Sequence, residues 1–249
     1  MRFCATTSKL PCYVLSQDGI SVSPDKVKAV KEYPVPKNVT VVRAFLGLAS
    51  FYRKLVPDFA KLAKPLTSLT RKSQIFVWRP IQQEAFENLK TRLCTMPVLS
   101  YPDFNRIFTL TTDACGIAVA AVLSQIQDGV ERPLAYASRQ LNKDESAYCV
   151  SELELLALVW AVTYFRCYLL GRNFVAKTDH IALTYLKKFA DSNPRLMRWS
   201  LKLAGFNFSV EHRPGKKIPH ADALSRHVGT VLHDENLKSW TVSSWTSQG

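Results

Sequence analysis

Four acidic side chains are spaced so that they could act together on a phosphodiester. Asp113 and Asp179 each follow a predicted strand, Glu154 lies in an apolar predicted helix, and Asp222 lies in a predicted terminal helix. Such a cluster repels itself unless divalent cations neutralise it, and Mg²⁺ prefers oxygen ligands of this kind. Two ions could activate a water and stabilise the leaving oxygen. From spacing alone, a strand-end cap or a solvated helix residue remains the alternative for each acid.

The elements that would position these acids begin near residue 104. Phe108 and Leu110 alternate with threonines in a strand that runs into Asp113. Three successive strands, a helix, a strand, a helix and a strand then predict a mixed five-stranded sheet flanked by helices, in the α/β class. The further strands are predicted at 117–125, 134–139, 174–178 and 206–211, and the helices at 151–170, 194–204 and 221–226. Asp128-Gly129 predicts a turn between the second and third strands.

The first hundred residues have a different pattern. A strand–turn–strand is predicted over 13–22, and Ser23-Pro24-Asp25 predicts a helix that stops before Pro34. Apolar positions at helical spacing predict a second helix around Phe45, a short third helix after Pro57-Asp58 and a fourth over 82–94. Arg43, Arg53 and Lys54 are basic positions along the second of these elements, which we interpret as a basic helical segment.

The composition indicates an intracellular protein with a basic surface. Among 249 residues, 33 Lys and Arg face 20 Asp and Glu, and most of the excess lies in residues 1–112. Basic surfaces attract phosphate backbones, although a solvated Lys-rich helical face is the alternative. The six cysteines form no C-x-x-C pair, which favours reduced thiols, and the apolar runs are too short to span a membrane. We expect a cytoplasmic or nuclear location and no membrane partner.

Five segments stand in an order and at spacings that a known family shares. They are Thr111-Thr112-Asp113-Ala114, residues 132–139, Glu154-Leu155-Leu156-Ala157, Lys177-Thr178-Asp179-His180 and residues 221–226. In these segments the chain resembles the ribonuclease H domain of gypsy-class long-terminal-repeat retrotransposon Pol polyproteins. Upstream, residues 42–53 resemble the thumb or connection segment that follows the palm in the same polyproteins. The resemblance implies a ribonuclease H-like fold and metal-dependent cleavage of the RNA strand of RNA–DNA hybrids.

Carried over by motif, the resemblance makes Asp113, Glu154, Asp179 and Asp222 the catalytic acids, which would hold two Mg²⁺ ions for which Mn²⁺ can substitute. Related domains often carry a mobile histidine at the place of His212, which assists proton transfer or product release. An exposed loop histidine is the alternative for that position.

Glu152 competes with Glu154, since two residues apart on a helix they point about 200° from each other. The family's E-L-x-A pattern selects Glu154. Ser138 and Arg139, at the end of the third strand, are candidates for contact with nucleic acid phosphate. A hydrogen-bonding role at the surface is the alternative for these two residues.

The resemblance also implies a division of the chain and a function. We expect a palm hairpin remnant (1–20), a basic helical thumb or connection segment (21–77), a tether helix and linker (78–103), a ribonuclease H-like domain (104–227) and a polar tail (228–249). No Tyr-x-Asp-Asp motif occurs, so the polymerase activity of the parent polyprotein is not expected. The expected partners are an RNA–DNA hybrid and the remaining reverse transcriptase and integrase parts of Pol. A non-catalytic nucleic-acid-binding or structural remnant is the alternative function.

Overall fold

The first hundred residues form a small sheet and a cluster of helices. The computed structural model describes residues 8–9, 13–16, 19–72, 74–95, 97–178, 186 and 193–212. The described part of the first hundred residues confirms the hairpin and the helices predicted there. Strands β1 (Ser8–Lys9), β2 (Tyr13–Ser16) and β3 (Gly19–Val22) pair antiparallel in that order, followed by helices α1 (Pro24–Lys31), α2 (Val39–Phe51), α3 (Phe59–Ser68) and α4 (Pro80–Cys94).

The helices of this first unit share one apolar core. Asn38 caps α2 by accepting a hydrogen bond from the Val41 N–H at 3.0 Å, which satisfies one of the unpaired donors of its first turn. Phe45 of α2 and Phe86 of α4 are fully buried against each other, with ring centres 4.7 Å apart. Helix α4, predicted as part of a separate tether, therefore packs into the same core as α2.

A five-stranded mixed sheet organises the second unit. The strand order is β6-β5-β4-β7-β8, antiparallel from β6 to β4 and parallel from β4 to β8. This sheet, flanked by helices, confirms the predicted fold class. The strands are β4 (Phe108–Cys115), β5 (Ala118–Gln127), β6 (Val130–Gln140), β7 (Asn173–Thr178) and β8 (Asn207–His212), and the helices are α5 (Val150–Tyr164), α6 (Arg166–Leu169) and α7 (Pro194–Ala204).

The hairpin between β5 and β6 follows its predicted turn. Asp128 and Gly129 both have positive φ, 53° and 77°, as a two-residue turn that matches the twist of the strands requires. The turn aligns β5 and β6 over their whole length, with one register shift between Leu123 and Ser124.

Helix α5 packs across the sheet. Its apolar positions, including the fully buried Leu155, Leu158 and Val162, contact the face of the sheet that carries Phe108 and Leu110. The helix predicted over 151–170 is not continuous, because α5 ends at Tyr164 and α6 is a separate short helix. None of the described helices is long and apolar enough to cross a membrane.

The two units are joined by hydrogen bonds to β6. The Ser138 hydroxyl accepts a hydrogen bond from the Ala60 N–H of α3 at 2.9 Å, and the Arg53 guanidinium donates to the Ser138 carbonyl. The Gln140 amide donates to the Ala60 carbonyl at 3.3 Å, and Tyr136 packs against the core of the first unit. The first unit therefore lies against the face of β6 that points away from α5.

Candidate active site

Two buried threonines mark the ends of the central parallel strands. β4 and β7 pair as far as Thr111 and Lys177, and the next residues, Thr112 and Thr178, are 4% and 1% exposed. Neither hydroxyl has a hydrogen-bond partner among the described residues. Buried polar groups are almost always paired, so these two hydroxyls mark one place where the described residues leave a polar group without a partner, as they also do at Arg195 Nε. In sequence, each threonine directly precedes a predicted site acid.

Asp113 lies near the end of β4 and is exposed. It pairs with Ala120 of β5, on the face of the sheet opposite α5. A shallow cleft on this face is lined by Asp113, by Asp58 of the first unit and by Tyr136 of β6. Burial and, to a smaller extent, the negative charge of Asp58 raise the pKa of the Tyr136 hydroxyl, which keeps it protonated at neutral pH.

Glu154 lies on α5, the helix that packs directly on β4. Its side chain is half-buried. By contrast, the neighbouring Glu152 is 8% exposed, accepts a hydrogen bond from the Cys149 N–H at 3.2 Å and pairs with the Arg195 guanidinium. Both oxygens of the Glu152 carboxylate therefore have partners inside the protein, which favours Glu154 as the site acid.

Three other predicted site positions lie partly or wholly outside the described residues. Asp179 and Asp222 are not among them, and for His212 only the backbone is described. His212 ends β8 and pairs with Thr178 of β7 in parallel register. The backbone of His212 therefore lies beside the residue that precedes Asp179 in the sequence.

The donor chemistry of Asp113 and Glu154 fits Mg²⁺, a hard cation that binds carboxylate oxygens. Within the part of the chain that the structure describes, no three His, Cys, Asp or Glu side chains gather into a metal-binding group. Two of the four predicted ligands belong to that part, and a complete site requires acids from the remainder of the chain.

The predicted nucleic-acid contacts of the first unit divide into two kinds. Lys54 is exposed, and so is Arg43, although its guanidinium also donates to the Thr70 carbonyl at 3.2 Å. Arg53 is half-buried and hydrogen-bonded to Ser138 across the boundary between the units. Arg43 and Lys54 are therefore the more accessible to a phosphate backbone.

Ser138 and Arg139 have internal partners. Ser138 is 2% exposed, which leaves it almost no surface for a phosphate contact. Arg139 forms two hydrogen bonds to the Glu145 carboxylate, at 2.6 and 2.8 Å, and lies over the Trp160 ring. Hydrogen bonding from Arg139 lowers the pKa of Glu145, against the opposing effect of burial. These contacts favour hydrogen bonding within the protein over phosphate contact for both residues. For Ser138 that hydrogen bonding lies in the interior and not at the surface.

Arg195 is a residue that the sequence analysis did not single out. It lies in the first turn of α7, where Asn193 caps the helix by accepting from the Arg195 N–H at 2.9 Å. The Asn-Pro pair at 193–194 is a sequence signal for this helix start. Nothing in the sequence indicates the ion pair with Glu152, because the two residues are 43 positions apart.

Comparison with known proteins identifies the second unit. Residues 103–206 match the family described as the RNase H-like domain found in reverse transcriptase. The chain is 43% identical over 215 residues to a retrovirus-related Pol polyprotein from transposon 297 of Drosophila melanogaster, covering 86% of this chain and 20% of the relative. It is 39% identical over 247 residues to the corresponding polyprotein from transposon gypsy of the same organism, covering 94% and 24%.

A solved structure supports the fold. The foamy viral protease-reverse transcriptase in complex with an RNA/DNA hybrid superposes with a TM-score of 0.70 at 19% identity, covering 92% of this chain and 31% of that one. The chain spans about a fifth to a quarter of the length of the two polyproteins. Residues 103–206 therefore have an RNase H-like fold and match the RNase H-like domain found in reverse transcriptase, in a chain that is similar to one section of transposon Pol polyproteins, as its motifs predict.

Proposed function

We propose that this chain cleaves the RNA strand of RNA–DNA hybrids in a metal-dependent endonuclease reaction. The observation that carries the proposal is the parallel pairing of β4 with β7, because Asp113 lies near the end of β4 and Asp179 directly follows β7 in the sequence. Glu154 joins the proposed set by its motif and its position on α5, which packs on β4, and Asp222 by its motif alone. The match of this region to an RNase H-like domain supports the assignment.

In this proposal Asp113, Glu154, Asp179 and Asp222 bind two Mg²⁺ ions, for which Mn²⁺ can substitute. When bound, the ions supply Lewis acidity at the scissile phosphate and lower the pKa of the attacking water. Partial burial of Glu154 restricts its carboxylate to few orientations and so holds a ligand oxygen in place. His212 moves a proton at the leaving oxygen or assists product release, tasks that suit the histidine side chain in general.

In this proposal, basic residues of the first unit bind the nucleic acid backbone. Exposed Arg43 and Lys54 contact phosphates irrespective of base sequence, and this attraction weakens with salt. Hybrid preference comes from groove shape and 2′-hydroxyl contacts. Because the relatives are polyproteins, the remaining reverse transcriptase and integrase parts of Pol are the proposed protein partners.

The test is cleavage of a hybrid with a labelled RNA strand by the full chain in Mg²⁺ or Mn²⁺. We expect cuts in the RNA strand only, abolished by chelation and by Asp113→Asn or Glu154→Gln. Asp128→Asn and Glu84→Gln are matched controls, since both residues are exposed and distant from the proposed site, and asparagine tolerates the positive φ of residue 128. If wild type binds the hybrid but does not cut it, the chain is a non-catalytic nucleic-acid-binding protein and the proposal is wrong.

A further inference from the structure

A partly buried ion pair joins the first turns of α5 and α7. The Glu152 carboxylate and the Arg195 guanidinium are hydrogen-bonded, with side chains only 11% and 32% exposed. Arg195 lies over the ring of Tyr148 at 4.1 Å and near that of Trp199 at 5.6 Å. The two rings pack edge to face, so the guanidinium rests on a rigid aromatic support.

The same carboxylate also closes the start of α5. One Glu152 oxygen accepts the Cys149 N–H, the reciprocal half of a capping box, while the other faces Arg195. Burial, the largest single effect, lowers the pKa of the Arg195 guanidinium, but the hydrogen bond and charge of Glu152 and the contacts with Tyr148 together outweigh it, so the pKa is raised. The first turn of α5 is thus joined to the first turn of α7 through Arg195.

The pair spans two parts of the proposed site. Glu154 lies two residues after Glu152, so movement of this turn moves the backbone of Glu154. Arg195 opens α7, the first described helix after the segment 179–192, which begins with Asp179. In the sequence, this segment directly follows β7 and ends just before α7. Arg195 of α7 is hydrogen-bonded to Glu152 on α5, the helix that also carries Glu154.

We infer that Glu152 and Arg195 are positioning residues that set the metal affinity of the proposed site by fixing the first turn of α5 and hence Glu154. This inference rests on the proposed function. Groups that orient metal ligands without touching the metal typically cost 10–100-fold in metal affinity or activity when they are removed. A ligand misplaced by a fraction of an ångström binds its cation with poorer geometry, which additional metal compensates.

Two conservative variants separate the charge of Glu152 from the planar shape and ring stacking of Arg195. Glu152→Gln keeps the volume and the capping acceptor, because glutamine also serves at this position of a capping box, but removes the charge. Arg195→Lys keeps the charge but loses the planar fork and the stacking on Tyr148 and Trp199. Glu84→Gln, on the exposed side of α4, is the matched control, and circular dichroism verifies that each variant is folded.

The first measurement is the Mg²⁺ dependence of hybrid cleavage. We expect Glu152→Gln and Arg195→Lys to raise the Mg²⁺ concentration for half-maximal rate by about 10-fold, with most of the rate recovered at saturating metal. Glu154→Gln, which removes a ligand, is not recovered by added metal. Wild-type Mg²⁺ dependence in both pair variants, or a loss in Glu152→Gln that metal does not recover, overturns the inference.

The second measurement does not depend on cleavage. Mn²⁺ alone is titrated into the full chain, and exchange of the α5 amides at 150–154 is followed by mass spectrometry. We expect weaker Mn²⁺ binding and faster exchange in Glu152→Gln than in Glu84→Gln. If wild type does not cut but binds Mn²⁺ more tightly than both Glu154→Gln and Glu152→Gln, the positioning role is upheld while the proposed function fails. Mn²⁺ binding that is absent from wild type, or unchanged in Glu152→Gln, overturns the role.

Discussion

Replacing Ser138 by alanine removes the hydroxyl through which β6 caps a helix of the other unit. Ala60 is the second residue of α3, so its N–H has no partner within the helix, and the Ser138 hydroxyl accepts it at 2.9 Å. The residues are 2% and 5% exposed, so water cannot replace the hydroxyl without rearrangement. An unsatisfied buried donor costs about 1–3 kcal/mol, and loss of a helix cap about 0.5–2 kcal/mol. These overlapping estimates describe one bond, and we expect a loss of about 2 kcal/mol in the free energy of unfolding.

The assay is urea and thermal unfolding of the full chain. For a chain of this size, 2 kcal/mol corresponds to a fall of roughly 4–8 °C in Tm. Ser146→Ala is the matched control, because that hydroxyl donates to the Asn142 carbonyl at an exposed position where water can substitute. We expect the control to lie within about 0.5 kcal/mol of wild type.

Two results would contradict this reasoning. If Ser138→Ala and Ser146→Ala are equally stable, the contact between the units does not contribute as the geometry requires. If Ser138→Ala keeps its stability but loses hybrid affinity by about 10-fold, corresponding to about 1.4 kcal/mol, Ser138 contacts nucleic acid and the role favoured by its burial is wrong.

Four further substitutions test the fold. Gly19→Ala should be strongly destabilising, because φ is +134° and a Cβ would lie 2.1 Å from the Leu99 carbonyl oxygen. Gly47→Ala in α2 should be neutral or stabilising by up to about 1 kcal/mol, because nothing lies within contact distance of the added Cβ. Urea unfolding measures both effects. Leu155→Ala should cost about 2–5 kcal/mol by the same measure, since the side chain is fully buried. Glu145→Gln should destabilise by about 1.5 kcal/mol at pH 7. Because the pKa of Glu145 is lowered in the folded state, that difference should persist above about pH 4.3 and shrink below it; a difference constant down to pH 2 contradicts the pairing with Arg139.

Much of the fold could be predicted from short-range sequence signals. Alternation at residues 108–111 predicts β4, and Asp128-Gly129 predicts the turn that pairs β5 with β6, because both signals concern neighbouring residues. The break between α5 and α6 was not predictable in this way. Apolar residues continue through it, and Phe165 and Leu169 are both buried, so periodicity gives no indication that the helix ends.

The roles of the basic and polar residues were less predictable. Arg53 and Ser138 are 85 positions apart, and only the folded chain brings them together. A basic residue along a predicted helix therefore has the same sequence signature whether it meets a phosphate or another part of the protein. Lys54 is exposed, as a phosphate contact requires, whereas Arg53 contacts another part of the protein.

The choice between Glu152 and Glu154 shows how local structure can support what a motif suggests. Two residues apart on a helix, the two carboxylates point in nearly opposite directions, so at most one faces a given site. The acid three residues after the helix cap is the one that can reach back to the cap N–H, and Glu152 holds that position relative to Cys149. The signal was present in the sequence, but cysteine is not among the usual capping residues, so the helix start was not recognised. Both Glu152 oxygens accept hydrogen bonds inside the protein, which supports the prediction that Glu154 is the metal ligand.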